Sequence, residues 1–183
     1  MKVAALIVAA WLAAGAAQAG ERRSWQPDAV FSQMGAGSAT NAWSVGGQWR
    51  WKRTWVLRDS LVVQGRWEIA VGRWRVDLDD QERDQNWVTQ LSLVPTLRVS
   101  GLHGRGWYGE IGSGPAMLMP IFQSRNRSFS TEFNFQSHLA LGYNFGRDAG
   151  HDLGLRIEHF SNAGIEKPNP GMDVASLRYT YRF

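Results

Sequence analysis

Apolar residues fall on alternate positions through most of this chain. Leu61, Val63, Gly65, Trp67, Ile69 and Val71 interleave with Val62, Gln64, Arg66, Glu68 and Ala70. Trp87, Leu91, Leu93, Leu97 and Val99 interleave with Gln90, Ser92, Thr96 and Arg98. Phe133, Phe135, Leu139, Leu141, Tyr143 and Phe145 alternate with Asn134, Gln136, His138 and Asn144, and the chain closes on Ala175, Leu177, Tyr179, Tyr181 and Phe183 against Ser176, Arg178, Thr180 and Arg182. A period of two defines strands with one apolar and one polar face. Turn signals divide the pattern into eight strands, at 28–36, 42–54, 60–75, 86–100, 106–118, 132–145, 152–161 and 174–183. In the first of these neither face is cleanly apolar. The breaks at 53–60, 101–106 and 146–151 are short; those at 76–85, 119–131 and 162–173 are longer.

The N-terminus follows another rule. Met1-Lys2 precedes an apolar run from Val3 to Ala17, then Ala17-Gln18-Ala19. A positive start, a short apolar stretch and an A-x-A site describe an export signal. Cleavage after Ala19 is expected, leaving 20–183 as one domain. No second run of 18 apolar residues follows, so no spanning helix is expected.

Alternating strands fit either a soluble sandwich or a membrane barrel. Composition decides between them. The outer face of a soluble sandwich needs lysine, yet the chain holds only Lys2, Lys52 and Lys167. The polar face carries Arg, Glu, Gln, Asn, Ser and Gly, which suits a crowded, hydrogen-bonded interior. The apolar face, with most of the ten Trp, suits a lipid-facing band with aromatic rims. The expected fold is therefore an all-β, eight-stranded antiparallel transmembrane barrel of the outer-membrane type, with a polar, side-chain-filled interior. Arg66, Glu68, Arg98, Glu110, His138, Arg156, Glu158 and Arg178 are its expected paired core, and most arginines are expected to point inward. They form no basic stripe, so no nucleic-acid partner is expected. With no cysteine, disulfides, thiolate zinc sites and cysteine nucleophiles are excluded.

An even strand number puts both termini on one side, and the longer loops face outward. The end of strand seven then lies at the external interface. On that strand Leu153, Leu155 and Ile157 mark the lipid side, and His159 and Ser161 share it. Polar groups facing lipid are costly without a purpose. Asp173 joins them if the last hairpin returns in register. Ser, His and Asp suit a nucleophile, a base and an orienting acid. The same side chains also suit hydrogen bonding to lipid headgroups. Rim aromatics such as Trp43 and Trp87 are placed to meet those headgroups too. No metal-ligand spacing occurs among the histidines, and no cofactor is expected.

The segment Glu158-His159-Phe160-Ser161-Asn162-Ala163-Gly164-Ile165, followed by Pro168-Asn169-Pro170-Gly171 and by the closing Leu177 to Phe183, resembles the C-terminal signature of the lipid A 3-O-deacylases. The resemblance implies an outer-membrane esterase. It would remove the 3-O-linked acyl chain of lipid A in lipopolysaccharide at the outer leaflet, releasing a 3-hydroxy fatty acid. It implies Ser161 as nucleophile, His159 as base and Asp173 as the acid, where the family commonly has Glu; Glu166 is the fallback. It also implies an oxyanion role for Asn169 and for the stretch around Asn162 and Gly164. Phe183 resembles the signal read by the barrel-assembly machinery. A non-catalytic barrel, another lipid hydrolase or an acyltransferase, and a homodimer, stay open at this point.

Overall fold

Eight antiparallel strands close on themselves, each hydrogen-bonded to its sequence neighbours and β1 to β8. In this computed structural model they are β1 Ala29–Gly37, β2 Thr40–Val56, β3 Leu61–Asp77, β4 Gln85–Gly101, β5 Gly106–Met119, β6 Phe133–Phe145, β7 His151–Ser161 and β8 Met172–Arg182. The structure describes residues 25–57, 60–78 and 85–183; the expected signal 1–19 lies outside them.

Closure leaves one wall facing out and one facing in, and the alternation assigns each residue. On β7, Leu155 and Ile157 are 67% and 66% exposed, while Arg156 and Glu158 are buried. Exposed Leu, Ile, Val and Trp of β3 to β8 form a continuous apolar wall. A wall of that extent in water would be an aggregation surface, so it is a lipid-facing one. On β1 the phase is inverted relative to the odd-out strands: Phe31 and Gln33 are buried and Met34 is exposed. That is why neither of its faces reads as apolar.

Inside, charge meets charge. Glu68 accepts hydrogen bonds from Arg156 at 3.0 and 3.3 Å and from Arg178 at 2.8 Å. Glu110 takes Arg98 at 2.6 Å and Arg156 at 3.0 Å, and lies 3.6 Å from Arg66. Glu158 is held by neutral donors, Gln136 at 2.6 Å and Ser176 at 2.8 Å. Buried ions persist where each has such partners. His138 shares this interior, fully buried.

Three features depart from the sequence expectation. The interior is polar over only part of its height. At the end that carries the 162–171 loop, Trp74, Val76, Val88, Leu118, Phe160, Met172 and Val174 form an apolar plug. The 120–132 loop folds into it, with Phe122 and Phe129 buried; Trp74 meets Phe160 edge-to-face at 4.8 Å and Phe122 at 6.0 Å. Second, β1 and β2 join through Ser38 and Ala39 alone, so this end has one tight turn among its longer loops. Third, the inward arginines are Arg66, Arg98, Arg156, Arg178 and the partly buried Arg182, whereas Arg73 stands exposed on the outer wall.

Candidate active site

The last hairpin places two side chains against each other on the outer wall. His159 and Asp173 are direct register partners of β7 and β8. The His159 Nδ1 lies 2.7 Å from Asp173 Oδ1, with the side chains 50% and 71% exposed. An anionic carboxylate can only accept, so Nδ1 carries the proton and Nε2 is left as the basic nitrogen. Ser161 lies two residues further along the same face, about 6.5–7 Å away at Cα. Among the described residues its hydroxyl makes no hydrogen bond, so it does not meet the imidazole here. Glu166 lies in the exposed loop, where its backbone carbonyl accepts from Asn162; Asp173 is the acid at His159.

The loop that follows Ser161 is braced from within. Asn162 is buried, and its side-chain amide donates to Glu166 O at 2.8 Å, Ser130 Oγ at 3.2 Å and Thr131 Oγ1 at 3.4 Å. Its side-chain oxygen accepts the Gly164 N–H at 3.0 Å. Its own N–H donates to Asn169 Oδ1 at 3.1 Å. Asn162, Gly164 and Asn169 thus hold one another, and the Asn162 and Gly164 backbone donors are engaged in the loop. The side-chain nitrogen of Asn169 has no acceptor among the described residues.

Several neighbours escaped the sequence reading. Ser137 is the β6 register partner of His159, and its hydroxyl lies 2.8 Å from that of Ser113 on β5. Ser113, Ser137, His159 and Asp173 therefore form a polar row across four strands of an otherwise apolar wall. Two serines on the apolar parity were a legible signal. Arg127, from the 120–132 loop, donates to Gly171 O at 2.6 Å and Pro170 O at 3.2 Å. Gly171 lies against the His159 ring. Nothing in the sequence pattern links residue 127 to residue 171.

Fold and site together define a small bilayer-spanning barrel with a histidine–carboxylate pair and a serine on its lipid-facing rim. The model of the lipid A 3-O-deacylase (PagL) family matches residues 38–182. The chain belongs to that family. It is 36% identical to lipid A deacylase PagL of Bordetella bronchiseptica over 116 residues, 63% of this chain. That match spans 61% of the relative, about three-fifths of its length. It is 26% identical to lipid A deacylase PagL of Pseudomonas aeruginosa over 153 residues, 82% of this chain and 83% of the relative. Its fold is that of the crystal structure of the outer membrane enzyme PagL, with TM-score 0.71 at 23% identity over 85% of this chain and 99% of the other. The N-terminal β-barrel domain of Pseudomonas aeruginosa OprF superposes less closely, with TM-score 0.51 at 15% identity, covering 86% of this chain and 98% of that one.

Proposed function

We propose that this chain is an outer-membrane esterase that hydrolyses the 3-O-linked acyl ester of lipid A and releases a 3-hydroxy fatty acid. The observation that carries the reading is the 2.7 Å His159–Asp173 contact on the lipid-facing wall, one step along the face from Ser161. The outer leaflet would then bring the ester to the site sideways, without leaving the membrane.

In this reading Asp173 fixes the imidazole tautomer and steadies the imidazolium that forms. His159 Nε2 takes the proton of Ser161 as its oxygen attacks the ester carbonyl. The serine rotates toward the ring when the ester is bound, because catalytic hydrogen bonds commonly tighten only then. The side-chain nitrogen of Asn169 donates to the oxyanion; loss of such a donor costs about 10²–10³ in rate. His159 returns the proton to the departing sugar oxygen, leaving an acyl group on Ser161. Water activated by the same histidine then frees the fatty acid.

Mass spectrometry of lipid A from cells expressing the protein tests this directly. The expected result is loss of one 3-hydroxyacyl chain, absent with Ser161→Ala or His159→Ala while both variants keep the heat-modifiable gel mobility of a folded barrel. Unchanged lipid A with the folded wild-type protein would refute the reading.

A further inference from the structure

The odd positions of β3 point outward: Trp67, Ile69 and Val71 are exposed apolar residues of the lipid-facing wall. Arg73 continues that series, also exposed, four residues before β3 ends at Asp77. A charged side chain on this face costs about 2–4 kcal/mol at mid-bilayer, falling to roughly 0–1 near the interface. An arginine is therefore tolerated at such a level, but it keeps its charge there.

The immediate surroundings of Arg73 suit a cation. Its guanidinium donates to Thr89 Oγ1 of β4 at 2.7 Å and lies 5.6 Å from the centre of the Trp87 ring. Trp43 is its register partner on β2 and Trp87 stands on β4, so an indole comes from the strand on each side. Among the described residues no carboxylate meets Arg73; the next outward arginine, Arg75, has Asp77 at 3.8 Å. Thr89 is the one acceptor it meets among the described residues, and the planar group has five donors. Such a fork matches the paired oxygens of a phosphate. Flanking indoles suit the interface, where one side of the ligand is sugar and the other acyl chain.

We propose that Arg73, framed by Trp43, Trp87 and Thr89, is a binding site for the phosphate of a phosphorylated glycolipid headgroup in the outer leaflet. The inference rests on the reading of this rim as the outward-facing one and concerns a headgroup site apart from the proposed catalytic one. The site shares the rim with the His159–Asp173 pair. Ser161 stands on β7, four strand spacings from β3 in either direction around the ring, so Arg73 lies on the far side of the barrel from it.

Binding is measured in phosphatidylcholine nanodiscs with Ser161→Ala, so that nothing is turned over. Phosphorylated lipid A and its chemically dephosphorylated form are compared, with and without Arg73→Gln. The expected result is a Kd about tenfold higher for the phosphorylated lipid in the Arg73→Gln protein. The dephosphorylated lipid should bind both proteins alike, and Arg73→Lys should lie in between. Trp87→Leu, which keeps the charge and removes the ring, should also weaken the phosphorylated lipid. Equal Kd values for that lipid with and without Arg73→Gln would overturn the proposal. An equal loss for both lipids would overturn it too, as would displacement by inorganic phosphate at the lipid's own concentration. Because the Ser161→Ala protein is inert by design, the outcome is independent of whether the wild type is a deacylase.

Discussion

Gly171 lies flat against the imidazole of His159: a β-carbon at residue 171 would stand 2.8 Å from Cε1 and 3.3 Å from Nε2. Gly171 also has φ +66, a left-handed backbone that costs other residues about 1–2 kcal/mol. The ring is thus positioned from two sides, by Asp173 through a hydrogen bond and by the glycine through close contact. Gly171→Ala must push the ring or bend the loop. The expected outcome is a folded barrel with kcat lowered by about 10–100-fold, since small misplacements of catalytic groups are expensive. Release of free fatty acid from detergent-dispersed lipid A measures it. A wild-type rate in Gly171→Ala would mean that the ring position is not set by this contact.

Asp173 orients the base but does not touch the ester. Asp173→Ala is therefore expected to lose less activity than Ser161→Ala, because nucleophile and base can still meet without the acid. Asp173→Glu should keep substantial activity: with the side chain 71% exposed, there is room for another methylene. An inactive Asp173→Glu beside a fully active Asp173→Ala would move the acidic role to another residue, with Glu166 next to be tested.

Arg127 acts through the loop. Its two bonds to the carbonyls of Pro170 and Gly171 tie the 120–132 loop to the residue that backs His159. Charge-assisted bonds of this kind contribute about 1.5–3 kcal/mol each. Arg127→Ala should therefore lower kcat several-fold with little change in KM, and Arg127→Lys, which keeps a donor there, should recover part of the loss. A change in KM alone would instead make Arg127 a substrate contact.

Much of this site was legible in the sequence because parity carries so much information in a barrel. His159, Ser161 and Asp173 share the odd, outward phase, and direct pairing of β7 with β8 makes two of them neighbours. The polar core was legible for the same reason. The plug was not. Trp74, Val76, Val88, Leu118, Phe160 and Val174 occupy the inward phase and blur the alternation where strands meet the loops. Their partners Phe122 and Phe129 arrive from a loop whose path no periodicity encodes. The contacts of Arg127 and Gly171 were hidden likewise, since they depend on how two loops meet.

The plug yields a stability prediction that leaves the chemistry alone. Phe122 is fully buried, against Phe129 at 5.2 Å and Trp74 at 6.0 Å. Phe122→Ala leaves a cavity and should cost about 3–5 kcal/mol. Urea unfolding of the refolded barrel in detergent measures it. The specific activity of the folded fraction should stay within about twofold, since Phe122 touches none of the outward residues proposed for catalysis. A barrel of unchanged stability would mean that the loop is not anchored by this ring.

The final prediction concerns the path of the acyl chain. Inward from the site, Phe160, Met172 and Val174 fill the barrel, and below them Arg156 and Glu158 form the charged core. An acyl chain cannot enter there without displacing the plug and then desolvating paired ions. Outward, Leu155 and Ile157 of β7 with Leu177 of β8 give an exposed apolar track below His159. The chain is therefore expected to lie along the outer wall, still within the leaflet. Ile157→Lys should slow hydrolysis in membranes about tenfold or more by placing a charge on that track, at a stability cost of about 2–4 kcal/mol at mid-bilayer depth. The matched control is Ile69→Lys on β3, on the far side of the barrel, where Ile69 is also exposed on the apolar wall. Both variants pay the same kind of insertion cost, but only Ile157→Lys should lose activity per folded molecule. Gln136→Ala, inside the barrel and bonded to Glu158 at 2.6 Å, should act on stability alone. Equal losses in the two lysine variants would make the effect one of insertion. Loss in Gln136→Ala with full activity in Ile157→Lys would put the acyl chain in the interior.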